Sequence, residues 1–322
     1  MAARIGVPSP PPPPLPAANP NADRMRALVD AEVQEIVRLQ APLAVVIAVV
    51  DVPTGALLAL GDYGGASLRR YPPSGTLRPL VLAGVIEAGA DPLAVYPGGD
   101  GEVIMGDTVY RDSARFGDVT MAVMTQGSST LAPALLAVRY LDGGRLGEWL
   151  VRLGVLDPSA FRAPWPSERT FDEATGVPQR MDPVAMARAY AILANDGRLA
   201  DGRQLMRVET AHAVRSMLEA VTSEAGTGRA ARVAGMRVGG KTGGTWLSEW
   251  PINGRARGGV QPPFYCSFVG MLPMEAPRLV VLVGMETDAP RWDRGHAATP
   301  HFARLAPQLL ALAPLASPAI PQ

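Results

Sequence analysis

Gly239-Gly240-Lys241-Thr242-Gly243-Gly244-Thr245 sets one lysine and two threonines in a frame of glycines. The apolar run before it, Val233 to Val238, predicts a short strand that carries Lys241 to the rim of a sheet. Small residues beside a strand let another backbone approach closely. An edge of that kind suits a ligand carboxylate or an acyl carbonyl, with Lys241 as the point charge and Thr242 as a neutral donor. Alone, a Lys-Thr-Gly triplet in a glycine-rich chain reads more readily as an exposed turn. Its meaning is set by the rest of the chain.

The 322 residues are enough for one large domain or two ordinary ones, with a substantial core. Hydrophobic residues make up 48% and charged residues 19%, the composition of a folded chain with a charge-poor surface. Thirty Lys and Arg balance thirty Asp and Glu, which gives no support for a nucleic-acid partner, since such a partner normally requires a concentrated basic surface. Arginine supplies nearly all of the positive charge, which sets Lys241 apart, because a lysine can lose its proton and an arginine cannot readily do so. Cys266 is the single cysteine, which excludes an intrachain disulfide and a multi-cysteine metal site. Its strand-like setting, Phe264 to Val269, reads as a buried inert thiol. No stretch approaches the roughly 20 apolar residues that span a bilayer, and Met1 to Arg4 is not followed by the apolar run of a secretory signal. As written, the chain reads as soluble, without a membrane span. His212, His296 and His301 lack metal-ligand spacing and read as surface or helix-end residues; neither a metal nor a cofactor is expected.

In chain order, residues 1–22 are proline-dominated and predict an extended tether without a packed core. Apolar positions at Met25, Leu28, Val33 and Ile36 predict an amphipathic opening helix over 22–39. Leu43 to Val50 reads as a buried strand, and a turn at 51–55 leads to a second strand at 56–60, its antiparallel neighbour. Residues 74–78 form a polar elbow before a core helix at 80–88, with Ser74 or Thr76 as its cap and Pro79 in its first turn. Residues 90–118 read as a loop-rich excursion. Thr125 to Thr130 is a second polar elbow, whose hydroxyls precede a helix at 131–140 and normally cap it. Helices follow at 146–156, 183–194 (with Asp182 as N-cap) and 210–221, while 163–171 reads as irregular. Strands at 264–272 and 278–285 and a helix at 300–312 close the chain. The fold class is therefore α/β of the α+β type: a mostly antiparallel sheet flanked by N- and C-terminal helices, with an inserted, largely helical subdomain. Residues 23–315 form the domain, and 316–322 a flexible tail.

This order resembles the transpeptidase domain of the penicillin-binding proteins, within the serine β-lactamase and D,D-peptidase superfamily. The resemblance runs from about Leu43 to Leu310. It is carried by Asp51-Val52-Pro53-Thr54-Gly55, Tyr71-Pro72-Pro73-Ser74-Gly75-Thr76-Leu77-Arg78-Pro79, Ala189 to Gly197, Gly226-Thr227-Gly228 before Gly240-Lys241-Thr242-Gly243, and Phe268 to Pro273. It implies a β-lactamase/transpeptidase-like fold and an extracytoplasmic place in the cell envelope. A peptidoglycan stem peptide or a β-lactam is the implied ligand, and a cell-envelope assembly protein a further partner.

The family's three motifs are only partly kept. The first, Ser-x-x-Lys, aligns with Gly75-Thr76-Leu77-Arg78, so the attacking hydroxyl is missing and an arginine replaces the lysine base. Ser74 and Thr76 are each one residue out of frame, about 100 degrees around a helix start. The second, Ser-x-Asn, aligns with Ser128-Ser129-Thr130, and Thr130 lacks the amide of asparagine. The third survives as Lys241-Thr242-Gly243, with its following threonine displaced to Thr245. The expectation is a noncatalytic domain that retains peptide-carboxylate recognition through Ser128, Thr130, Lys241, Thr242, Gly243 and Thr245. The alternative is an active D,D-transpeptidase or carboxypeptidase that binds penicillin through Ser74 or Thr76.

Overall fold

The computed structural model describes residues 21–247, 262–288 and 297–313. The proline-rich segment 1–20, the tail 316–322 and His296 lie outside the described residues.

Strand β1 (Ala44–Asp51) has no polar face, and all of its residues are buried. A strand buried on both sides needs a layer on each. Val45, Ile47 and Val49 enter one apolar cluster, whereas Ala44, Val46, Ala48 and Val50 enter another. β9 (Leu279–Thr287) divides in the same way, with Val281, Val283 and Met285 on the first side and Val280 and Leu282 on the second. Together with β2 (Leu57–Tyr63), β7 (Gly239–Trp246) and β8 (Phe264–Leu272), these strands form a five-stranded sheet in the order β2-β1-β9-β8-β7, antiparallel throughout. The hairpin expected from residues 43–60 is present.

On the first side lie α1 (Ala22–Gln40) and α9 (Thr299–Leu312), the flanking terminal helices. On the second lie α2 (Arg78–Glu87), α7 (Pro183–Ala194) and α8 (Val208–Val221). The inserted region adds α3 (Met121–Gln126), α4 (Leu131–Leu141), α5 (Arg145–Arg152) and α6 (Ser167–Thr175). Asp182 caps α7 as expected, its carboxylate accepting the Val184 N–H at 2.7 Å. Among the described residues, no helix is long and apolar enough to cross a membrane.

Several expectations need correction. Residues 90–118 carry two small ribbons, β3 (Val95–Pro97) with β6 (Asp118–Thr120), and β4 (Glu102–Met105) with β5 (Thr108–Arg111). These strands are too short for a legible alternation. Residues 163–171 are irregular only as far as the start of α6. Neither Ser74 nor Thr76 caps α2; Thr76 Oγ1 instead donates back to Pro73 O at 2.7 Å. The strand expected over 233–238 starts only at Gly239, and the glycines themselves form the ladder. At Gly240 a Cβ would stand 2.4 Å from the Phe268 ring, so close packing with β8 selects the residue that reads locally as a breaker.

His301 stands at a helix end, in the first turn of α9, but it is not a surface residue. It is 3% exposed and clamps α9 to α1. Its Nδ1 lies 2.6 Å from Glu32 Oε1 and its Nε2 2.7 Å from Gln40 Nε2, while Arg304 Nε donates to Glu32 Oε2 at 2.8 Å. Burial works against the Glu32 carboxylate, but the hydrogen bonds from His301 and Arg304 outweigh it and hold its pKa below the usual range. His212 is exposed on α8 and pairs with Asp196 at 2.9 Å. Cys266 is buried in β8, as its setting suggests.

Candidate functional site

Three segments meet at the end of the sheet. The first is the elbow before α2, a single 3-10 turn over Ser74–Thr76 that is buried throughout. The second is β7, the edge strand. The third is the turn between α3 and α4, which holds Ser128 and Ser129. The motif positions thus converge, but without a gap between them.

Gly75 decides the geometry. A Cβ on residue 75 would lie 2.3 Å from Thr242 O and 3.4 Å from Lys241 Nζ. No side chain has that space, so the carbonyl of β7 fills the position from which a hydroxyl would act. Two further glycines permit the close approach. At Gly243 a Cβ would meet Pro73 O at 2.7 Å, and at Gly176 it would meet Ser74 O at 2.5 Å. Ser74 itself has φ of +46°, sparsely populated for a residue with a side chain. Its backbone N–H donates to Gly176 O at 2.8 Å and its Oγ to Gly244 O at 3.0 Å. These bonds fix the strained turn and tie it to the outer edge of β7. The hydroxyls of Ser74 and Thr76 are therefore both spent on carbonyls.

Arg78 and Lys241 meet at one oxygen. The Arg78 guanidinium is buried, and its Nη1 donates to Ser128 O at 2.9 Å, Ser128 Oγ at 3.2 Å and Ser129 O at 3.2 Å. Lys241 is 0% exposed. Its Nζ is 2.7 Å from Ser128 Oγ, 3.1 Å from Thr242 O and 3.3 Å from Thr242 Oγ1. Burial pushes the Arg78 guanidinium down to about 10, although the Asp112 carboxylate opposes the shift. Burial, and then the Arg78 charge, pull the Lys241 amine well below its ordinary value. Ser128, like Ser74, has a positive φ, +61°.

The remaining predicted positions lie around this knot. Thr242 Oγ1 is 3.3 Å from Thr227 Oγ1, which connects β7 to the turn before it. Thr245 lies farther along β7, opposite Tyr265, away from the Ser128 oxygen. Thr130 is held through its backbone N–H, 2.5 Å from Asp112 Oδ1. Asp112 went unread in the sequence, yet it orders the second elbow. It also accepts from Ser129 Oγ at 2.7 Å and Leu131 N–H at 3.3 Å, while Ser129 Oγ accepts the Ala132 N–H at 3.2 Å. The hydroxyl cap expected for α4 is therefore made by Ser129 together with Asp112. Nothing local marks Asp112, which sits in a loop 17 residues before Ser129. One signal in the sequence does mark the site: Lys241 is the only lysine in the chain. Among the described residues, no group of His, Cys, Asp or Glu has the arrangement of a metal site.

With this geometry established, the comparisons with known proteins agree. Residues 46–306 match the family described as the penicillin binding protein transpeptidase domain. The "Probable peptidoglycan D,D-transpeptidase PenA" of Neisseria gonorrhoeae is 24% identical, over 88% of this chain and 54% of that protein. The corresponding PbpC of Pseudomonas aeruginosa is 25% identical, over 67% of this chain and 41% of that one. The chain thus spans about half the length of such relatives, 54% in the first case. The fold is that of the transpeptidase domain of Burkholderia pseudomallei penicillin-binding protein 3, with a TM-score of 0.79 at 23% identity, covering 93% of this chain and 97% of that one. A match over most of the chain, on this fold and with these motif positions brought together, shows that the chain belongs to the penicillin-binding-protein transpeptidase-domain family.

Proposed function

We propose that this domain serves peptidoglycan or cell-envelope assembly without forming an acyl-enzyme, through contacts with other envelope components. The observation that carries this reading is the position of Thr242 O, 2.3 Å from where a side chain on residue 75 would begin. Acyl transfer requires a positioned nucleophile beside a base. Here the nucleophile position is a glycine under a carbonyl, and the base position is Arg78, spent on three acceptors of the second elbow. The out-of-frame hydroxyls do not substitute. Ser74 Oγ faces Gly244 O and Thr76 Oγ1 faces Pro73 O, neither of them a base.

Recognition of a peptide carboxylate draws support only from the survival of Lys241-Thr242-Gly243. In the closed arrangement Lys241 is fully buried and already bonded, so a carboxylate would have to displace it from Ser128. A role through protein contacts is the better supported part. It is consistent with large apolar side chains left exposed on the inserted region, Leu93 at 84%, Ile104 at 69% and Val95 at 62%. An extracytoplasmic setting belongs to the same proposal and draws its support from the family match.

Release of D-alanine from a synthetic peptide ending in D-Ala-D-Ala tests the reading. The purified chain should release no more than buffer does. Release that disappears on Ser74→Ala or Thr76→Ala would establish the displaced-hydroxyl enzyme instead.

A further inference from the structure

Lys241 is the only lysine among thirty basic residues, and it lies at full burial beside a second buried cation. The two cations reach the same hydroxyl, Lys241 Nζ at 2.7 Å and Arg78 Nη1 at 3.2 Å from Ser128 Oγ. Among the described residues, no carboxylate bonds either of them. The charged groups facing Lys241 can be taken element by element. From α2 comes Arg78, and behind it Asp112, whose oxygens are engaged by Ser129, Thr130 and Leu131. The 3-10 turn offers no titratable side chain, the α3–α4 turn offers Ser128, and the turn before β7 offers Thr227. Across the ladder β8 presents Val269 and, beside Gly243, Ser267. On α8, Glu219 is taken up by Arg237 at 2.6 Å.

The hydrogen-bond inventory points the same way. A neutral amine has two N–H donors and one lone pair, and an ammonium has three donors and none. Ser128 Oγ already accepts from Arg78, so its own proton is free to be donated, and the atom within reach is Lys241 Nζ. The two N–H groups of a neutral amine then face Thr242 O and Thr242 Oγ1. Each donor and acceptor of the amine and of the Ser128 hydroxyl is then matched, whereas Arg78 Nε, buried in the same cluster, has no partner. An ammonium would also find three acceptors, Ser128 Oγ, Thr242 O and Thr242 Oγ1, but it would set two buried charges on one hydroxyl.

We infer that Lys241 is an uncharged amine in the closed domain, and that its protonation parts β7 from the Ser128 turn and the residue-75 elbow. The inference rests on the closed arrangement described above and adds a regulation to it. Below the amine's own titration point, the ammonium repels Arg78 and seeks water, and the bonds that hold Thr242 O over Gly75 lose their anchor. The closed domain is therefore a proton-linked lock, shut when the amine is neutral.

A single lysine makes the test direct. Lysine labelled with 15N at Nζ gives one side-chain signal, followed from pH 5 to 11 on the intact chain. The expected result is a midpoint well below the usual lysine value of about 10.4. Amide exchange in 239–246 and 127–129, corrected for intrinsic rates, should speed up as pH falls through that same midpoint. Lys241→Met should remove the pH dependence of exchange, and Arg78→Met, where it folds, should raise the midpoint. A lysine signal titrating near 10.4 overturns the inference, as does a depressed midpoint with no change in exchange. Neither outcome bears on acylation, which is read separately from D-alanine release.

Discussion

Gly75→Ser should not restore acylation and should weaken the fold. The added Cβ falls 2.3 Å from Thr242 O, a backbone atom that moves only if β7 moves. Overpacking of this kind costs about 1–3 kcal/mol, and a backbone obstacle places the change at the upper end, near 3 kcal/mol. Urea unfolding should report that loss as a lower midpoint with an unchanged slope. Fluorescent penicillin should leave the variant unlabelled, because Thr242 O still fills the space from which the hydroxyl would act. A labelled Gly75→Ser protein of undiminished stability would mean that β7 yields readily and that the closed elbow is not a structural commitment.

Lys241→Met should change the pH dependence of stability with a defined sign. The folded-state pKa of Lys241 is depressed by burial and by Arg78. The unfolded chain takes up a proton at about 10.4 that the folded chain refuses. Between the two values the unfolded state binds one proton more, so stability rises with pH at about 1.4 kcal/mol per unit. The contribution is fully present above pH 10.4 or so and is lost as pH falls toward the folded-state value. Wild type should therefore gain stability relative to Lys241→Met as pH rises from the depressed folded-state value toward the unfolded one. Buried Tyr190 and Tyr265, raised by desolvation, act in the opposite direction at higher pH, but they are common to both proteins and cancel in the difference. Parallel stability curves for the two proteins would place Lys241 in water or beside an unseen anion.

How much of this was legible in the sequence depends on whether its cause is local. β1, β8 and β9 read correctly because strands buried on both faces are continuous apolar runs bounded by turns. The Asp182-Pro183 start of α7 was legible because a cap acts within one turn. β7 was misplaced by its own glycines, which locally mark a loop but here are what lets Phe268 and the elbow pack against the strand. The burial of His301 depends on Glu32, 269 residues away in the chain, and no pattern around the histidine announces it.

The site divides along the same line. The loss of a hydroxyl at 75 and of a lysine at 78 was plain from residue identity. That the loss is sealed by Thr242 O, and that Arg78 and Lys241 converge on Ser128 Oγ, depends on distances between segments far apart in the chain, 50 residues for Arg78 and Ser128 and 113 for Lys241 and Ser128. Asp112, which holds the second elbow in place, belongs to the same class.

The proposed lack of a positioned nucleophile is open to intact-mass measurement after prolonged incubation with excess benzylpenicillin. The chain should keep its unmodified mass throughout. A stoichiometric increase by one penicilloyl group, mapped to Ser74, Thr76 or Ser128, would contradict it.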